Sequence, residues 1–103
     1  MGSGINRIVV GSLICSNPAV AVNIDRVGFR PKLVRVVNVG ATGKSRLEWF
    51  KSMADDSAMK TITNGTISLV VADAITPRAN GFTLGLDTNV NIADERVYWE
   101  AHE

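Results

Sequence analysis

The chain has 103 residues, of which 46% are hydrophobic and 20% charged, so it is long enough for one globular domain and too apolar to be disordered. Its single cysteine (Cys15) and single histidine (His102) exclude a disulfide scaffold and a His/Cys zinc cluster, and its apolar runs are too short to span a bilayer. The net charge of +1 gives no overall attraction to nucleic acid, but eight of the eleven basic residues lie in residues 1–51 and eight of the ten acidic residues in residues 52–103. This asymmetry predicts either a molecular dipole or, if strands of both halves interleave, cancellation.

Short β-rich segments separated by turn residues make up the first half of the chain. Residues 8–15 predict a strand that is bulged or broken at Gly11. Residues 20–25 alternate between apolar and polar, which is typical of a strand with one buried face, and residues 33–38 are strongly β-branched. A glycine-rich loop is predicted at residues 40–43.

The second half continues this pattern after one ambiguous segment. Residues 46–53 fit a strand with alternating faces or the start of an amphipathic helix, and their aromatic content favours the strand. Asn-Gly at residues 64–65, between β-branched runs, is the strongest hairpin signal of the chain. A further turn is predicted at residues 76–77 (Thr-Pro), followed by strands at residues 82–87 and 97–102.

These segments predict an all-β fold, a compact antiparallel β-sandwich or jelly-roll-like barrel of about eight short strands. No linker, repeat or low-complexity tract divides them, and no signal peptide is visible. We therefore predict a single β domain over residues 1–103, with a flexible N-terminus at residues 1–4.

The most suggestive chemical motif is the strand that leads into Gly-Lys-Ser at residues 43–45. A phosphate-binding loop needs a glycine about five residues before the glycine of that triplet, and Asn38 stands there. Gly40 comes too late in the loop for backbone N–H groups to wrap a phosphate in the same way. The alternating helices of a nucleotide-binding parallel sheet are also missing from the pattern. We interpret the segment as a turn between two strands.

No convergent set of catalytic residues is apparent in the sequence. Cys15 lies in an apolar strand, where cysteine behaves as a small hydrophobe, and His102 is next to the C-terminal residue. The acidic pairs at residues 55–56 and 94–95 lie in predicted turns, and residues 87–91 lack the glycine and distal glutamate of a calcium loop. We therefore predict no enzymatic activity, no cofactor and no bound metal.

Large aromatic residues fall in adjacent pairs on predicted strands. In Trp49-Phe50 and Tyr98-Trp99 one member can fill the core while the other faces outward, because successive side chains of a strand point to opposite faces. A sheet covered on both sides would instead bury both members. Outward aromatic and basic residues are frequent interface anchors, and nucleic-acid binding is the less favoured use of this cluster. The candidate interface residues are Arg30, Lys32, Arg35, Trp49, Phe50, Tyr98 and Trp99.

A series of landmarks follows in order along the chain. They are residues 28–34 (GFRPKLV), Asn38, 47–49 (LEW), Met53, 57–61 (SAMKT), 75–77 (ITP), 81–87 (GFTLGLD), Asn91 and 98–101 (YWEA). The ordered set, which covers about residues 5–101, resembles small virion proteins encoded among the structural genes of tailed bacteriophages. The resemblance implies a non-enzymatic assembly protein, and we expect a capsid decoration or cement protein on the capsid surface of the virion, present in the host cytoplasm during assembly.

The partners implied by this resemblance are the major capsid protein or other virion proteins, together with further copies of the chain in a homo-oligomer, with a trimer favoured. Neither a membrane nor nucleic acid is expected as a partner. The competing hypothesis is a β-sandwich module on a tail or fibre that binds a host glycan or another virion protein. Trp99, near Asp87, Asn89 and Asn91, would then serve as the sugar platform.

Overall fold

The computed structural model describes residues 7–103, so the flexible segment predicted at residues 1–4 lies outside the described residues. Eight strands and no helix form between residues 7 and 103, which confirms the all-β prediction. The strands are β1 (Ile8–Ile14), β2 (Val22–Ile24), β3 (Leu33–Asn38), β4 (Arg46–Phe50), β5 (Ser57–Thr61), β6 (Ile67–Arg78), β7 (Gly81–Leu84) and β8 (Arg96–His102). The described range accordingly includes no helix with the length and apolar character that crossing a membrane requires.

All eight strands belong to one antiparallel sheet, in the order β1-β8-β3-β4-β5-β6-β7-β2. The sheet curls into a half-barrel, so its concave side encloses the core and its convex side faces outward. Phe82 and Trp99 meet edge to face in this core, with ring centroids 5.5 Å apart. The other large buried side chains around them are Val34, Val36, Leu47, Trp49, Ile75, Leu84, Val90 and Val97.

The two halves of the sequence interleave in the sheet, because β8 lies between β1 and β3. Ion pairs join basic residues of the first half to acidic residues of the second. Arg35 Nη1 lies 2.9 Å from Glu100 Oε1, and Arg7 Nη2 lies 2.8 Å from Glu103 Oε2. At these pairs, basic residues of the first half therefore meet acidic residues of the second, as the interpretation with interleaved strands predicts.

Several predicted elements form where the pattern placed them. The β-branched run is β3, and the ambiguous segment begins with strand β4 rather than a helix. This strand ends at Phe50, because the Met53 N–H donates to the Phe50 carbonyl (2.8 Å) and turns the chain. The Asn-Gly hairpin joins β5 to β6, with Gly65 in the left-handed region at φ 87°.

Two predicted features of the strands are wrong, namely the break at Gly11 and the turn at Thr76-Pro77. Strand β1 is not broken at Gly11, since its pairing with β8 is continuous. This glycine lies opposite Trp99, and a Cβ there would collide with the indole ring. No turn forms at Thr76-Pro77, which lies inside β6, and the turn comes at residues 79–80. Pro77 is tolerated because β5 pairs with β6 only as far as Ile75.

A large bulge divides β6 into two parts. Ala58 pairs with Val70, but the preceding residue, Ser57, pairs with Ile75, so residues 71–74 have no partner in β5. Asp56 closes the bulge, since its carboxylate accepts the N–H of Ala74 at 3.1 Å. The outer part of the β5–β6 hairpin thus leaves the body of the sheet. The molecule is elongated and measures 44 × 25 × 18 Å. We call residues 61–72 the β6 arm.

Candidate interaction surface

Four adjacent strands, β1, β8, β3 and β4, present one continuous convex surface. The strand register aligns their outward side chains in rows, because directly opposed residues of an antiparallel sheet point to the same side. One row holds Val10, Glu100, Arg35 and Glu48, and the next holds Ser12, Tyr98, Val37 and Arg46. We call these eight residues the outer face.

The outer face combines charged residues with three exposed hydrophobic ones, although the solvated side of an antiparallel sheet is normally polar. Val10 is 70% exposed, Tyr98 is 51% exposed and Val37 is 36% exposed. A shallow groove of about 800 Å³ lies between these side chains and the neighbouring charged ones. Contiguous exposed apolar side chains beside charged groups are typical of a surface that binds another molecule.

Arg35 holds the polar centre of the outer face. Its Nε donates to Glu48 at 2.8 Å and its Nη1 donates to Glu100 at 2.9 Å. The hydrogen bonds that Arg35 donates to Glu100 and Glu48 raise the pKa of Arg35, and the bond to Glu100 lowers the pKa of Glu100. Because both carboxylates already hold the guanidinium, this part of the face is charged but preorganised.

The aromatic pairs divide as one inward and one outward member, as one of the two sequence interpretations predicts. Trp49 and Trp99 are each 3% exposed and belong to the core, which leaves little of either ring for direct contact with a partner. Tyr98 lies on the outer face. Phe50, which is 38% exposed, lies in the row next to that of Arg35, outside the eight residues of the outer face. The strand register explains this division. Trp49 lies directly opposite Val34 and Trp99 directly opposite Val36, and both of these valines of β3 point into the core.

The two remaining candidates do not join the outer face. Arg30 and Lys32 precede β3 and line a separate cavity of about 400 Å³ with Lys51 and Asp55. Of the basic candidates, only Arg35 belongs to the outer face, and it is paired with two carboxylates.

Sequence reasoning missed the aliphatic part of the outer face. In the sequence, Val37 belongs to a β-branched run and Val10 to a predicted strand, and neither is among the candidate interface residues. The available signal was parity, because Val36 and Val37 are consecutive on one strand and cannot both point into the core.

The loop that resembles a phosphate-binding motif connects β3 to β4, as the turn interpretation predicts. Its N–H groups already bind a carboxylate of the same chain, since Thr42 N and Gly43 N each donate to Glu95 at 3.2 Å. Asn38, which replaces the first glycine of the motif, accepts from Gly40 N at 2.8 Å. Gly43 has no space for a side chain, because a Cβ would meet the Asn89 carbonyl.

Glu95 gives this loop a predicted pH dependence. Desolvation alone would raise the pKa of Glu95, but donors from Gly43 and Thr42 outweigh it, and the pKa is lowered. A lowered carboxyl pKa contributes stability that is present above the unfolded-state pKa and is lost as pH falls through the folded-state pKa. We expect Glu95→Gln to unfold at a lower temperature than wild type at neutral pH and at nearly the same temperature in acid, by circular dichroism melting. Melting temperatures that differ equally at all pH values would contradict this prediction.

The residues considered for catalysis do not come together. Cys15 follows one end of β1, whereas His102 pairs with Ile8 at the other end of that strand. Burial raises the pKa of the Cys15 thiol, which keeps it protonated and weakly nucleophilic. Between residues 7 and 103, no group of three or more His, Cys, Asp or Glu side chains is placed to hold a metal ion.

The predicted sugar platform is not an exposed one. Trp99 is in the core, and Asp87 and Asn91 are each 5% exposed. Asn91 is occupied internally, since its Nδ2 donates to the carbonyls of Val20 and Gly85, both at 2.9 Å. An aromatic contact to a ligand on the outer face would have to come from Tyr98.

Comparison with known proteins finds no matching family model, no matching curated protein and no matching solved structure.

Proposed function

We propose that this chain is a non-enzymatic structural protein of a tailed-bacteriophage virion, which binds through its outer face to the capsid shell as a decoration or cement protein. The observation that supports the proposal most is the exposure of Val10, Val37 and Tyr98 on one sheet face, around a preorganised Arg35. The sequence landmarks described above supply the virion context. The major capsid protein is the partner proposed.

The outer face has the composition of a protein-binding surface. Tyrosine and arginine are enriched among residues that dominate binding energy, and a central Tyr98 beside Arg35 fits this pattern. Because Glu48 and Glu100 already hold the guanidinium, little side-chain freedom remains to be lost on docking. The exposed charges would make the association sensitive to salt.

Capsid co-sedimentation tests the proposal. We expect Tyr98→Ala to weaken binding to emptied phage capsids by about tenfold or more, as truncation of a central aromatic anchor does. The matched control is Val20→Ala, because Val20 is 54% exposed but lies in the β1–β2 connection, away from the outer face. The control should bind like wild type. Failure of the wild-type chain to sediment with capsids, or equal binding by both variants, would refute the proposal.

A second candidate function is a tail- or fibre-borne module that binds a host glycan or another virion protein. The groove on the outer face favours it, since an exposed Tyr98 beside Glu48 and Glu100 combines a stacking surface with hydrogen-bond acceptors. Glycan-array binding that is lost in Tyr98→Ala, with no binding to capsids, would select this function.

A further inference from the structure

Within residues 7–103, strand edges lie free at β1, at β2 and along the outer part of β6, and the first two carry features that oppose pairing. At the edge of β1, the charged Arg26 side chain lies beside the strand, and its Nη2 donates to the Ser12 carbonyl at 3.3 Å. The edge strand β2 is only three residues long and is followed by Asp25. Short edge strands and charged side chains at an edge are the usual protection against pairing with another chain.

The third free edge belongs to the β6 arm and lacks this protection. Among residues 7–103, only β5 pairs with residues 67–70, because β7 reaches β6 at residues 75–78. The arm contains no charged residue and no proline. Ile67 and Leu69 are each 60% exposed and Val71 is 74% exposed, at alternate positions of the strand. Backbone donors and acceptors are therefore available beside a row of apolar side chains.

We propose that a second copy of this chain pairs with the β6 arm, antiparallel and about a two-fold axis. In a register centred on Leu69, this residue faces itself, and Ile67 faces Val71 of the other copy. A two-fold contact places like residues near one another, so it requires a surface free of repelling charges, and the uncharged arm meets that requirement. A trimer would instead need the arm to meet a different edge, and at the longer one, β1, Arg26 already binds the Ser12 carbonyl.

Edge-to-edge pairing of this kind continues one sheet across two copies. The axis is then perpendicular to the paired strands, so the same side of the arm faces the same way in both copies. The dimer carries two outer faces, which could bind neighbouring sites of a repeating lattice. The pairing itself does not depend on the proposed function.

Size-exclusion chromatography with light scattering tests the pairing without capsids. We expect the wild-type chain to have twice its 11.1 kDa mass over a wide concentration range. Leu69→Lys should halve that mass, because two like charges would meet at the axis, and Leu69→Glu should do the same. Mixing the two variants should restore the dimer. The matched control is Val20→Lys, which adds the same charge at a residue 54% exposed outside the arm and should remain dimeric.

Circular dichroism establishes that the variants are folded. Should Leu69→Lys fail to fold, Val71→Lys, at the more exposed position, replaces it. A monomeric or trimeric wild-type chain, a dimeric Leu69→Lys, or a mixture that stays monomeric would overturn the inference. The proposed capsid binding is tested separately, because Tyr98→Ala should weaken binding to capsids and leave the dimer intact.

Discussion

Replacing Asp87 by asparagine is expected to lower the free energy of unfolding by about 3–5 kcal/mol, because it leaves a buried ammonium without a counter-charge. The partner is Lys60 on β5, whose Nζ lies 3.0 Å from Asp87 Oδ2. The two side chains are only 11% and 5% exposed, so water cannot replace the lost carboxylate. The pair ties the second half of the sheet to the loop after β7.

Guanidinium unfolding of wild type and variant measures this loss. Asp25→Asn is the matched control, because it breaks the Asp25–Arg78 pair of similar length (2.9 Å) but with exposed side chains, and should cost less than about 1 kcal/mol. Replacing both members of the buried pair, as Lys60→Met with Asp87→Leu, should recover much of the lost stability. Equal losses in Asp87→Asn and Asp25→Asn would refute the argument.

Replacing Asn38 by leucine is expected to cost about 3 kcal/mol or more, because an apolar side chain leaves buried backbone groups without hydrogen-bond partners. The Asn38 side chain is 1% exposed and satisfies three backbone groups at once. Its Nδ2 donates to Val90 O at 2.8 Å, and its Oδ1 accepts from Gly40 N at 2.8 Å and Lys44 N at 3.2 Å. Each buried backbone group left without a partner costs about 1–3 kcal/mol.

Asn64 is the matched control, because its side chain accepts the same kind of local hydrogen bond as Asn38 but is exposed to solvent. Its Oδ1 accepts the N–H of Thr66, two residues on, at 2.9 Å, in the exposed β5–β6 turn. Asn64→Leu should therefore cost less than about 1 kcal/mol in chemical unfolding. If Asn38→Leu unfolds at the same denaturant concentration as wild type, the loop does not depend on this side chain.

Much of the fold was predictable because alternation, β-branched residues and turn residues all indicate strands. Residues 64–65 show this best. A hairpin turn suits both the β-branched residues on either side and the left-handed conformation of Gly65. The two errors arose where tertiary context outweighed local preference. Gly11 makes room for the indole of Trp99, and Pro77 lies where β6 has no partner in β5.

The outer face was predictable only in part. Adjacent aromatic residues imply opposite directions, but which member points outward depends on register with distant strands. Tyr98 is outward because its neighbour Trp99 opposes Val36, and that pairing joins residues far apart in sequence. Parity within β3 would have identified Val37. The exposure of the β6 arm could not be anticipated, because the bulge that removes it from the core has no local signature.

The position of β8 in the sheet has a consequence for synthesis of the protein. Among residues 7–103, β1 pairs only with β8, and β3 pairs with β8 along its whole length. During translation, β1 therefore stays without its partner strand until the other seven strands have been synthesised. Such long-range pairing makes folding slow compared with local hairpins. Because β8 contributes Tyr98 and Glu100, the outer face can form only after this last of the eight strands has been translated.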